Sequence, residues 1–495
     1  GLLNISMLNS ISNYFLLCGI GKFDLIVGNP PWVDWKNLPS VHRDKIKESC
    51  ISRELFSGDK RTGGINLNVC ALLSNISAEN WLKDNGVMAL LMPQCILFQQ
   101  SYDGYRKLKL NTGSNLYFQE IVDWEKAGHP FSPVQQLFAT YVISRREQDY
   151  FKGIPARKIS IRKPFKVDDV AKSINDQNFD SYFETKRLIL GQTTDKRTAF
   201  TYVENEEELH QFQNISGETE YIGREGVEYY PQELQLLKIT NIDKKKQTVK
   251  IETYQNSRSK YSIPKRTADL EVKYLRPLIK GICVKRFHIQ EPEFIVAFPY
   301  DSCNFKIPIP ALELREQSRL LYDYYSTNRK YLDMQNQYSD KIINSDEAEY
   351  YALARTGKYS HAPWYVVFRD NTKWVSAVVG KIKTEWGGLK VPAFQNHCVS
   401  ICENANGEFI SEDEAHYICA ILNSHIVERF ILATSDKRTF KIRLPFKIKK
   451  YDEKNRNHVK LMELSKKAHV NYDQEREVEK IRNQIDKLYL KTLEE

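Results

Sequence analysis

Four consecutive residues, Asn29-Pro30-Pro31-Trp32, bring together groups able to grip a flat ring that carries an amine. They follow the apolar run Phe23-Asp24-Leu25-Ile26-Val27, which Gly28 closes. Each proline fixes φ and removes an N–H donor, so the turn is stiff and its carbonyls stay free to accept. The Asn29 side chain adds another acceptor. Two fixed acceptors would hold both hydrogens of an exocyclic amine and leave its lone pair turned towards a methyl donor. Trp32 offers a face on which a nucleobase drawn out of its stack can lie. The plainer alternative is a Pro-stiffened turn with a core indole. The full combination after an apolar strand is much rarer than Pro-Pro alone.

Such a turn needs a scaffold. In open α/β sheets, ligands bind at the carboxyl ends of the strands, which is where this turn falls. The first 150 residues alternate apolar strands with helical stretches. Strands are expected at Phe23–Val27, Gly86–Met92, Tyr117–Trp124 and Leu137–Ser144, and helices at Leu67–Trp81 and Tyr102–Leu110. This alternation, with continuously apolar strands, predicts an α/β fold with a parallel, doubly wound sheet. After residue 150 the strands become short and polar, as at Lys158–Arg162 and Gln247–Tyr254, with a helical patch at Leu312–Tyr331. A polar helix from about Lys460 carries Val478, Ile481, Ile485 and Leu488 as one stripe, read as an intramolecular contact. The expected division is 1–150, 151–455 and 456–495.

The segment Asp24-Leu25-Ile26-Val27-Gly28-Asn29-Pro30-Pro31-Trp32 resembles the catalytic motif of amino-methyltransferases, chiefly those acting on adenine N6 in DNA. The likeness continues through Gly63–Asn68 and Asn85–Pro93. It also covers His129-Pro130-Phe131-Ser132-Pro133-Val134, which maps contact with the flipped base to Phe131. Tyr221–Gly226, Tyr274–Gly281, Phe298–Tyr300, Pro363–Tyr365, Leu422–Ser424 and Ile485–Tyr489 are similar, in order and spacing, to the target-recognition region of type IIG restriction–modification enzymes. The resemblance implies the later strands of a Rossmann-like methyltransferase sheet, then an α+β target-recognition domain and a C-terminal helix. It implies Asn29, Pro30, Pro31 and Trp32 as catalytic residues, S-adenosylmethionine as cofactor and double-stranded DNA as partner.

The cofactor's own signature is missing. That signature is a Gly-rich turn after a first strand, with an acidic residue after a second. Cys18-Gly19-Ile20-Gly21 lies only two residues before Phe23, too close for an intervening helix. Three strand–helix units of roughly 30 residues each should precede the Asn-Pro-Pro-Trp strand, about 90 residues in all. Only 28 residues precede Asn29, and the chain starts at Gly1. A truncated polypeptide is therefore expected, or less readily a separate subunit supplying the cofactor-binding half. The strand at Phe23 would then be an unpaired apolar edge.

A net charge of +9 permits a polyanionic partner without demanding one. The run from Lys437 to Lys450 holds seven cations alternating with Phe440, Ile442, Leu444, Phe446 and Ile448. Lys437, Arg438, Lys441 and Arg443 are candidates for phosphate contact, as are Lys280, Lys285 and Arg286. An edge strand guarded by lysines is an equally good reading of that run. His397, Cys398 and Cys402 read as a buried strand, not a metal site. Asp180 with Glu184 and Lys186 has nuclease-like residue types but reads as solvated helix. The nine scattered cysteines fit a reducing cytoplasm, and no apolar run approaches the roughly 18 residues that span a bilayer. Two other functions share these features. One is a methyltransferase for an RNA or protein amino group. The other is a non-catalytic DNA-specificity subunit.

Overall fold

The computed structural model describes residues 21–56, 67–128, 136–162, 177–195, 198–255, 263–303, 305, 307–333, 349–434 and 442–495. The chain divides into two compact units, Gly1–Asn214 and Ile215–Glu495.

The first unit is built on β1 (Phe23–Gly28), β2 (Leu82–Pro93), β3 (Tyr117–Lys126), β4 (Phe138–Ser144), β5 (Ile154–Ile161), β6 (Phe183–Gln192) and β7 (Phe200–Val203). They form one sheet in the order β1-β2-β4-β3-β5-β6-β7. The β1–β2 and β3–β5 pairs are parallel. By contrast, β4 is inserted antiparallel between β2 and β3. The sheet is therefore mixed, which corrects the expectation of a parallel one. Strands buried on both faces are apolar throughout whichever way they run, so hydrophobicity did not reveal the direction of β4.

Asn68 caps the helix Val69–Trp81 by accepting from the Cys70 amide, a contact worth about 1 kcal/mol. That helix buries Cys70, Ala71, Leu72 and Ala78 in the core. The helix expected at Tyr102–Leu110 is reduced to one turn, Asp103–Arg106. Leu108 has φ +49°, which an α-helix cannot contain, and Lys109 then bridges Asn115. Three strands beyond residue 150 extend the first sheet, and the two units meet at Asn214/Ile215. Asp180 lies in a short helix and Lys186 pairs with Glu204. Among the described residues β1 pairs only with β2, and Leu25 and Val27 stand 59% and 71% exposed.

The second unit holds a six-stranded sheet. Its strands are β9 (Leu237–Asp243), β10 (Thr248–Thr253), β11 (Thr267–Glu271), β12 (Leu275–Ile279), β15 (Phe294–Ala297) and β20 (Ala393–Phe394). A four-stranded sheet joins β8 (Tyr221–Arg224), β16 (Tyr365–Arg369), β17 (Ser376–Val379) and β21 (Cys398–Asn404). Two separate ribbons pair β13 (Val284–Lys285) with β14 (His288–Ile289), and β18 (Ile382–Thr384) with β19 (Gly388–Lys390). The patch Leu312–Tyr331 is broken at Ser318 and Asn328 into Ala311–Gln317, Arg319–Thr327 and Arg329–Leu332. The C-terminus is two helices, Arg456–Val470 and Glu475–Glu494. The second buries Val478, Ile481 and Ile485, with Tyr489 continuing the stripe where Leu488 was expected. Among the described residues, no helix is long and apolar enough to cross a membrane.

The His469 ring bonds on both sides. Its Nδ1 donates to the Ser465 carbonyl, at 2.8 Å, and its Nε2 accepts from the Val378 amide, at 3.0 Å. That acceptor role requires the neutral ring, and burial lowers His469 to about 4. Burial likewise lowers His416 to about 3. In the unfolded chain both titrate near 6.5, so as pH falls the unfolded state takes up protons before the folded one. Their stabilisation is complete above that pH and is lost as pH falls towards about 4. At about pH 5 the loss is about 2 kcal/mol for each ring. Urea melts from about pH 8 to about pH 5 should show it, and His469→Gln should flatten the dependence. A wild-type profile unchanged over that range would contradict this account.

Candidate functional site

Parallel pairing sets Gly28, the last residue of β1, beside Leu90 of β2, and β2 runs on past it to Pro93. Antiparallel pairing sets Phe138, the first residue of β4, beside Pro93, the last of β2. One end of the sheet therefore gathers the Asn29–Trp32 turn, the residues after Pro93 and the segment leading into Phe138.

In this turn Asn29 is exposed, and its side chain has no hydrogen-bond partner among the described residues. Pro30 and Trp32 are half-buried, and Pro31 is exposed. The Trp32 indole N–H donates to the Leu91 carbonyl at 3.1 Å. Its ring lies 5.9 Å from that of Phe138, tilted by 34°. The bond and the ring contact fix the plane of the indole against β2 and β4.

Just beyond the turn, the chain is clamped to the start of the Val69–Trp81 helix. Trp35 N donates to Leu67 O at 2.7 Å, and Val69 N donates to Val33 O at 2.9 Å. The Asn68 side-chain amide donates to Asp34 at 3.2 Å. Trp35 is buried edge-on against Phe56. The rigidity expected from two prolines is thus extended by backbone pairing on the far side.

A polar cluster lies under the other part of the site. Asp123 of β3 is fully buried. Both its oxygens accept from the Gln94 amide, at 3.0 and 2.8 Å, and one also accepts from the Glu125 backbone at 2.9 Å. Lys158 of β5 stands 3.9 Å from Asp123 and 3.8 Å from Glu125. Burial lowers the pKa of the Lys158 ammonium, and the attraction of Asp123 opposes that shift. Gln94 in turn donates its backbone N–H to Leu137 O at 2.9 Å, and the Gln136 amide reaches Cys95 Sγ at 3.6 Å. Asp123 thus anchors the base of the segment that carries Phe131. Phe131 itself lies outside the described residues. Asp34, Gln94, Asp123 and Lys158 were not singled out from the sequence. The available signal was a lone carboxylate within the otherwise apolar Ile121-Val122-Asp123-Trp124.

The candidate phosphate-contacting residues sit on the second unit. Lys437, Arg438 and Lys441 lie outside the described residues. Arg443 is exposed, and the following residues alternate: Leu444, Phe446 and Ile448 are buried. This stretch is pinned by single bridges, Ser216 to Phe446 and Thr219 to Ile448. Lys285 is exposed at the end of β13, beside the ribbon's turn. Lys280 is half-buried, its ammonium 5.0 Å from the Phe294 ring. Arg286 is ion-paired with Glu428 at 3.0 Å. His397 pairs with Asp370, and Cys398 and Cys402 are buried in β21, where burial raises both thiols.

Residues 6–131 match the Eco57I restriction-modification methylase family. The Type II methyltransferase M.HincII of Haemophilus influenzae is 25% identical over 158 residues, which are 30% of this chain and 27% of that protein. M.HindII, from the Rd strain of the same species, is also 25% identical over 158 residues, 30% of this chain and 26% of its own length. The match thus spans about a quarter of these curated relatives. In fold, the chain is similar to the solved structure of the Type IIL restriction-modification enzyme MmeI in complex with DNA. The TM-score is 0.52 at 11% identity, over 96% of this chain and 55% of that one.

Proposed function

We propose that this chain is the base-gripping and DNA-binding part of a site-specific DNA methyltransferase of a restriction–modification system, acting on the N6 amine of an adenine swung out of the duplex. One observation carries the reading. Asn29 stands exposed and uncommitted at the end of β1, a stiff turn away from an indole held by the Leu91 carbonyl. A flat heterocycle lying on Trp32 would present its amine to the Asn29 oxygen and the turn's carbonyl. Holding the amine in this way fixes its direction, and positioning of that kind is a large part of the catalytic advantage. Phe131 would take the base from the segment anchored through Leu137. Extrusion from a duplex requires phosphate contacts, a role we give to Arg443, Lys285 and Lys280 together with Lys437, Arg438 and Lys441.

The cofactor implied is S-adenosylmethionine, which supplies the methyl group when bound. Asp24, the acidic residue of β1, is exposed and paired with Lys83 at 2.8 Å. We place the main site in another segment, of the same polypeptide or of a separate subunit. The fold match covers only 55% of MmeI, and Leu25 and Val27 stand exposed on β1; both support that placement. Calorimetry on the 495-residue chain should show no micromolar binding of S-adenosylmethionine.

The test is tritium transfer from labelled S-adenosylmethionine by the full-length gene product, followed by nucleoside analysis. Label in N6-methyladenine of DNA is expected. Label in protein or RNA would favour another amino group, and no label at all would favour a specificity subunit. Trp32→Phe keeps an aromatic face but loses the bond to Leu91, a net contribution of about 1 kcal/mol. It should slow turnover by about tenfold or less while retaining the product. An unchanged kcat would detach the indole N–H from positioning.

A further inference from the structure

The β18–β19 ribbon forms a sheet of its own in the second unit. Its register pairs Ile382 with Lys390, Lys383 with Leu389, and Thr384 with Gly388. Directly paired residues share a face, and faces alternate along a strand. One face is anchored. Ile382 packs on the cluster around Ile279 and Cys283, and Trp386 at the turn packs on the cluster around Val272. Lys390 donates its ammonium to the Val272 carbonyl. The turn is tied by Gly387 N donating to Thr384 Oγ1 at 3.1 Å, and Gly388 takes φ +69°.

Among the described residues the other face is exposed. Lys383 and Leu389 lie side by side on it, with Lys381 two residues before Lys383, and all three are exposed. Leu389 is 67% exposed, although the same ribbon packs Ile382 and Trp386, both half-buried, against core clusters. Two lysines around a leucine make a face that is cationic at its flank and apolar at its centre. Glu385 at the turn is the single exposed acid of the ribbon.

We infer that this ribbon is the element that enters the major groove of duplex DNA, with Lys381 and Lys383 on phosphates and Leu389 against base edges. The inference rests on the DNA-binding reading above and assigns a place to it. The major groove of B-DNA admits a two-stranded ribbon, phosphates match the lysines, and a thymine methyl is the group an exposed aliphatic side chain can read. Anchoring at one face supplies the rigidity that register on the duplex requires.

The test uses the full chain and a labelled, randomised DNA duplex, followed by fluorescence anisotropy across a salt series. Lys381→Ala with Lys383→Ala should weaken binding to all sequences alike and lower the slope of log K against log salt by roughly 2. Leu389→Asn should leave the salt slope unchanged. In selection from a randomised duplex pool it should alter the preferred base at one or two positions. A salt slope unaltered by the lysine substitutions, or a Leu389→Asn variant that selects the wild-type sequences, would overturn the assignment. Equal binding of an A-form RNA duplex would also overturn it, because that deep, narrow groove cannot take a ribbon. Should the wild-type chain bind no duplex DNA, the DNA reading falls and the ribbon's role with it. Failure of the ribbon variants alone leaves the DNA reading standing.

Discussion

On the proposed methyltransferase reading, replacing Asn29 by alanine should lower turnover by about 100- to 1,000-fold, the range seen when one fixed polar partner of a reacting group is removed. The location of Asn29 makes this a sharp expectation. The side chain is exposed, lies beyond the last residue of β1, and holds nothing else among the described residues. Its removal should therefore cost less than about 0.5 kcal/mol of stability. Loss of activity with an unchanged urea midpoint would isolate the chemical role. The split between parameters matters too. An acceptor that orients the amine during transfer should lower kcat and kcat/KM together, whereas a contact that only binds the base would raise KM alone. A variant that keeps more than a third of wild-type turnover would remove Asn29 from the mechanism and leave Asn-Pro-Pro-Trp as a structural turn.

Much of the site's frame could be read from sequence because the information there is local. An apolar run closed by glycine and followed by two prolines predicts a strand and a stiff turn, and β1 ends at Gly28. Helical spacing from Leu67 to Trp81 predicts a helix, and one runs from Val69 to Trp81. What sequence did not disclose depends on partners far along the chain. The hairpin that inserts β4 between β2 and β3 places Phe138 beside Trp32, which no periodicity encodes. Strands β5 to β7 looked like a new domain because they carry charge, with Arg157, Lys186 and Arg187 exposed. They nonetheless continue the first sheet. Arg286 looked like a free cation within a basic patch. Its partner Glu428 is 142 positions away, a pairing that only the packed helix His425–Thr434 reveals. The ribbon face of Lys381, Lys383 and Leu389 is the reverse case. Its alternation is plain in the sequence, but its significance depends on knowing which of its two faces the fold covers.

The largest loss of stability in the first unit should come from Asp123→Ala. This carboxylate is fully buried on a central strand, and the Gln94 amide, the Glu125 backbone N–H and the Lys158 ammonium all direct hydrogens towards it. Alanine would leave these donors facing an apolar void. Removing one partner of a buried charged cluster costs about 3–5 kcal/mol, since the remaining charge keeps its desolvation penalty. Asp123→Asn keeps the volume and one acceptor, so about half that loss is expected. The comparison separates charge from packing, and hydrogen exchange at the amides of β2, β3 and β4 measures both variants. A consequence at the site follows from the same bonds. Gln94 holds Leu137 through its backbone, so loosening Gln94 frees the segment that carries Phe131. In the proposed DNA-methylation assay, under conditions where the protein stays folded, Asp123→Asn should therefore raise KM for DNA more than it lowers kcat. The Trp32–Leu91 bond uses a backbone carbonyl within β2 and no member of this cluster, and it should persist. A destabilisation below about 1 kcal/mol for Asp123→Ala would show that Lys158 and Gln94 find water or other partners. In that case Asp123 would not be the anchor of this end of the sheet.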